Sequence, residues 1–160
     1  MNNFLILNLQ STLSLVVFAM IARWYIVPRL SKLNLTDALI PLLLIHAFRY
    51  TPMTLLVDGQ IANEVPSEVA NAVAYGDLAA AILAILAILF LKFKFPGAVL
   101  LAWIFNIVGI LDIVNALRVG VGAKLYEYAL GFNWYILNYY VPLLIVTHVV
   151  MVYWLVKKKE

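Results

Sequence analysis

Arg49, Asp77 and Asp112 are where this chain has the most chemistry to offer, because each falls inside an apolar stretch long enough to cross a membrane. A charge facing lipid at such a depth costs on the order of 3 kcal/mol, so charges there turn inward and pair. One guanidinium between two carboxylates leaves a surplus negative charge. Either one carboxylate keeps a proton, or a cationic ligand or ion supplies the missing charge. Binding of a cationic molecule and intramembrane proton transfer are the chemistries that follow. His46 and His148 add groups able to relay a proton or ligate, and Asn106 adds a neutral amide.

The elements that must position these groups are helices. Of the 160 residues, 66% are hydrophobic and 12% charged, against about half and about a quarter in a soluble domain. The expected fold is all-α: a polytopic integral membrane protein with five transmembrane helices at about 4–27, 38–57, 71–93, 98–118 and 134–156, forming a single bundle over 1–160. Each run is close to the ~20 residues that span roughly 30 Å of hydrocarbon. The first run reads as a helix and not as a signal peptide, since Met1-Asn2-Asn3 lacks a basic residue and the chain returns to the membrane afterwards.

Arg23, Arg29, Lys32, Lys92, Lys94, Lys157, Lys158 and Lys159 fall at one side of such a bundle, with Arg118 and Lys124 opposite. The positive-inside rule then puts the N-terminus outside and the C-terminus cytoplasmic, in a bacterial inner membrane or an endoplasmic reticulum. The connection from Asp58 to Ala70 carries no Lys or Arg and suits an outer position. Trp24, Tyr25, Trp134, Tyr135, Tyr153 and Trp154 read as interfacial anchors. Pro28, Pro66 and Pro96 lie in or near connections, whereas Pro41, Pro52 and Pro142 lie inside spans and bend helices 2 and 5. Ala80, Ala84 and Ala87 give helix 3 a small-residue face for close packing.

Counting 1.5 Å per residue sorts the polar groups into two layers. His46, Asn106 and His148 form an inner layer about 12 Å from the cytoplasmic side. Arg49 at about 12 Å, Asp77 and Asp112 at about 9 Å and Asn138 at about 6 Å from the outer side form an outer layer, with Asp58 and Asn115 at its rim. His46, Arg49, Tyr50 and Met53 share one helical face, which should point into the bundle, so that Arg49 meets Asp77, Asp112 or both.

With no cysteine, disulfides and thiolate chemistry are excluded. No zinc helix, P-loop, nucleophile elbow or dinucleotide fingerprint is present, and no metal site is expected. The basic balance reports topology and implies no nucleic-acid partner. No cofactor is expected, except in an alternative where His46 and His148, at matched depth on different helices, are the axial ligands of a haem b.

Several short patterns resemble the EXPERA-domain family, the group containing the emopamil-binding sterol isomerase and the sigma-two receptor. They are Pro52-Met-Thr-Leu-Leu-Val-Asp58-Gly-Gln60 closing helix 2, Tyr75-Gly-Asp77-Leu opening helix 3, Asn138-Tyr-Tyr-Val-Pro142 in helix 5, and Ile45-His46. The resemblance covers roughly residues 40–160 and implies a cavity among the helices that opens toward lipid, with carboxylates pairing a cationic amine or carbocation. By position it makes Asp77, Asp58, His46 and Asn138 site residues. Where the isomerase carries an acid one turn after its histidine, this chain has Tyr50, with Arg49 beside it. Lys157-Lys158-Lys159-Glu160 looks like the di-lysine retrieval signal of some members and serves equally as positive-inside charge.

The function expected is a membrane-embedded binding protein for a small apolar or amphipathic ligand, sterol-like or lipid-like and including cationic ones, held in an intramembrane cavity. Asp58, Asp77, Asp112, Asn138, Arg49, Tyr50, Asn106 and His148 are its candidate ligand contacts. If the protein is an enzyme, the resemblance implies an isomerase working by proton transfer, with Asp77 and His46 catalytic. The alternatives are the haem protein above and a structural or assembly subunit. Partners are membrane lipids and the small ligand, with self-association left open.

Overall fold

The computed structural model describes residues 2–61 and 65–157. Lys158, Lys159 and Glu160, which carry the retrieval-signal reading and part of the cation asymmetry, lie outside the described residues, as do Met1 and 62–64 of the second connection. Among the described residues the fold is all-helical, with five helices long and apolar enough to cross a membrane. They are α1 (Asn3–Leu30), α2 (Leu35–Leu56), α3 (Ser67–Lys92), α4 (Ala98–Gly122) and α5 (Asn133–Lys157). Asn2 and Asn34 start α1 and α2 as N-caps, each accepting a backbone N–H three residues on.

α3 packs against both α2 and α4, and α5 closes the group against α2 and α4, giving a four-helix unit. α1 lies on the outside of this unit, against α5 and the short turn Leu125–Glu127. Burial follows that arrangement: 44% of the most apolar window of α5 is buried and 0% of that of α1, so α5 is central and α1 peripheral. Ala80, Ala84 and Ala87 are fully buried, as the small-residue face of α3 requires. Toward the Lys92 end of α3 the bundle holds an apolar core that includes Leu39, Leu43, Leu91, Phe105 and Met151. Trp154 belongs to this core at 3% exposure and is not an interfacial anchor, because α5 runs through the middle of the bundle.

Prolines set the irregular turns, but not all where expected. α1 continues through Pro28 to Leu30, and a π-helical turn at Ala22–Ile26 stands directly before that proline. The same device recurs in α5, where a π-helical turn at Ile136–Tyr140 precedes Pro142. Proline lacks an N–H and its ring presses on the carbonyl four residues earlier, and a wider turn relieves both. α2 stays α-helical through Pro41 and gives way at its C-terminal half: the α-helix stops at His46, and a 3-10 stretch at Thr51–Leu56 begins beside Pro52.

Candidate functional site

The break in α2 is what delivers Arg49 to the interior. Across it the backbone bonds shorten to a three-residue span, with Arg49 N–H donating to His46 O at 3.1 Å and Thr51 N–H to Phe48 O at 3.0 Å. The Ile45 carbonyl accepts from the Tyr140 hydroxyl of α5 at 2.6 Å, so a side chain from another helix caps the break. Arg49 itself is 0% exposed. Its Nε donates to Asp77 Oδ1 at 2.7 Å, its Nη2 to Asp112 Oδ2 at 2.5 Å and its Nη1 to the Gly109 carbonyl at 3.2 Å. The guanidinium therefore meets both carboxylates and ties α2 to α3 and α4. Each carboxylate keeps one oxygen that Arg49 does not use.

Two glycines make this closeness possible, Gly76 within the Tyr75-Gly-Asp77 pattern and Gly109, which belongs to none of the patterns above. A Cβ on Gly109 would stand 2.7 Å from His148 Cε1 and 3.0 Å from Arg49 Nη1, and one on Gly76 would collide with Asp112 Oδ1. Gly109 lies three residues from both Asn106 and Asp112, on the same face of α4. A small residue at that place in a polar stripe is the signal that could have found it.

The inner layer also assembles. His148 Nδ1 pairs with Asn106 Oδ1 at 3.0 Å, and His46 Nε2 with Thr147 Oγ1 at 2.8 Å. His148 Nε2 lies 3.4 Å from Arg49 Nη1 and so joins the two layers. The His46 and His148 rings pack directly on each other, with centroids 4.3 Å apart, and Phe105 covers both. Two axial imidazoles must have a porphyrin between them, and rings in mutual contact leave no slot for one. The pair as arranged does not fit a haem b.

The remaining candidates part company with the cluster. Tyr50 is 47% exposed, because the turn after His46 rotates it away from the face that His46 and Arg49 share. Asn138 is buried, but the π-helical turn that contains it faces α1, where its amide and the Trp134 indole N–H both donate to Gln10 Oε1, at 3.2 and 2.9 Å. Asp58 is exposed beyond the end of α2 and borders a separate open depression. Asn115 accepts from Arg118 one turn along the exposed side of α4.

A cavity of about 50 Å³ adjoins the charged layer, with Arg49, Asp77 and Asn133 as its polar walls among apolar side chains such as Pro52, Val73 and Ile136. Asn133 is held by the Thr54 hydroxyl, which donates to its Oδ1 at 2.8 Å. Neither His46 nor Asp112 lines this cavity, so the structure does not bring His46 into one open space with Asp77. Beside it, a cleft of about 240 Å³ separates α1 from α4 and α5.

Comparison with known proteins adds a family. The model of the family described as Domain of unknown function (DUF8737) matches residues 6–156, and the chain belongs to that family. No curated protein and no solved structure matches it.

Proposed function

We propose that this member of the family is an integral membrane protein, N-terminus outside, that binds a small amphipathic ligand by its cationic end in the cavity at Asp77. The observation that carries the reading is one guanidinium held by two carboxylates beside a void. With all three groups ionised the layer has one surplus negative charge, and a ligand cation in the void neutralises it. The resemblance to carboxylate-lined amine sites supports the same reading. At about 50 Å³ the cavity takes an ammonium-sized group, whereas sites for drug-sized molecules start near ~300 Å³. The ring system of a sterol has no place in it, and binding is favoured over a proton transfer shared with His46.

The test is thermal unfolding of the purified protein with dodecylamine. Binding to the folded state raises the midpoint, by an amount equivalent to about 2.7 kcal/mol at one hundred times the dissociation constant. Asp77→Asn is expected to abolish the rise. One observation favours a second reading, a purely structural lock: the close approach at Gly76 and Gly109 leaves the cluster little slack. In that case Asp77→Asn lowers the midpoint and leaves the response to amine as it is in wild type.

A further inference from the structure

We propose that the cleft between α1 and the helices α4 and α5 holds the hydrocarbon chain of this ligand, making the ligand a single-chain amphiphile. The inference rests on the charged-cavity reading and adds the other end of the molecule. Cavity and cleft share Ala116, Leu117, Leu125, Leu137 and Val141 as walls, so only one layer of aliphatic side chains lies between them, and the ligand's head reaches Asp77 when those side chains turn aside. Their volumes together approach the roughly 300 Å³ at which ligand sites begin. The cleft is long and apolar where it meets α4 and α5, which suits a chain and not a compact ring system.

α1 supplies the second argument. Most of its surface is apolar and exposed, yet Asn8, Ser11 and Thr12 stand together on the wall of this cleft. Polar side chains in hydrocarbon are costly unless they are satisfied. Asn8 spends its amide N–H on the Phe4 carbonyl, and Ser11 reaches the Leu137 carbonyl at 3.4 Å, which leaves acceptor oxygens along the cleft. Thr12 lies about 13 Å along α1 at 1.5 Å per residue, level with the depth of Arg49 counted from the outer side. The polar wall thus flanks the place where a cationic end turns toward Asp77 and the chain runs on between α1 and α4.

The experiment uses the whole protein in phosphatidylcholine nanodiscs and a twelve-carbon primary amine with a diazirine near its chain end, photolysed with and without excess dodecylamine. Mass spectrometry then locates the label that the competitor removes. It is expected on α1 between Leu7 and Leu15 and on α4 between Ala116 and Val121. Thr12→Trp and Val121→Trp, two exposed positions on opposite walls, fill the cleft and each should reduce the competed label about tenfold, the ratio expected for a loss near 1.4 kcal/mol. Asp77→Asn should reduce it as well. If both Trp variants remove the label and Asp77→Asn keeps it, the cleft holds a chain and the carboxylate reading falls. If the label spreads over the lipid-facing sides of α3 and α4 and ignores both Trp variants, the cleft inference is overturned. The amine-induced rise in unfolding midpoint then judges the Asp77 cavity separately.

Discussion

The outer and inner polar layers are built from similar numbers of groups at neighbouring depths, and they solve burial in opposite ways. The outer layer is ionic: Arg49 meets two carboxylates, each with an oxygen to spare, and a cavity adjoins Asp77. The inner layer pairs imidazole with amide and imidazole with hydroxyl, packs ring on ring, and adjoins an apolar core. A layer without carboxylates can pair most of its groups and close up, even with His46 Nδ1 left unpaired among the described residues. An ionic layer with unequal charges cannot, and that imbalance is what the proposed cation site rests on.

Arg49→Met breaks the contrast most severely, because it leaves two carboxylates without their partner. It should cost about 3–5 kcal/mol of unfolding free energy in mixed micelles. A loss below ~1 kcal/mol would mean the carboxylates do not depend on the guanidinium.

Gly109→Ala strikes both layers at once, since its methyl meets His148 and Arg49 together, and should cost about 1–3 kcal/mol. Gly122→Ala, where added carbon meets nothing within 4 Å, is the matched control and should be close to silent. Equal effects would show that the tight approach at Gly109 is not real.

Tyr140→Phe removes the hydroxyl that caps the break in α2 and should cost about 1–2 kcal/mol while lowering the amine response, because Arg49 loses its fixed position. Unchanged binding would place the control of Arg49 elsewhere.

The smallest effect belongs to the inner layer. His46→Leu combined with Thr147→Val removes both partners of one hydrogen bond and also His46 Nδ1, which has no partner among the described residues. Replacing both partners by apolar groups should change stability by less than about 1 kcal/mol and leave the amine response intact. A large loss would mean the histidine layer is as indispensable as the ionic one.

Spans, depths and the charge problem were legible in the sequence. Hydrocarbon thickness fixes how long an apolar run must be, and the constant rise of a helix turns residue number into height, so Arg49, Asp77 and Asp112 fell at one level and the two histidines at another. Rotation about each helix axis was not legible wherever the hydrogen-bond pattern changes. The turn that follows His46 in α2 sends Tyr50 outward and the π-helical turn in α5 faces Asn138 toward Gln10, although simple spacing put both at the site. The close approach at Gly76 and Gly109, the contact of the two imidazoles and the size of the cavity depend on how separate helices settle against one another. Sequence spacing determines height along a helix, while facing and free volume come from packing between helices, which tertiary structure alone decides.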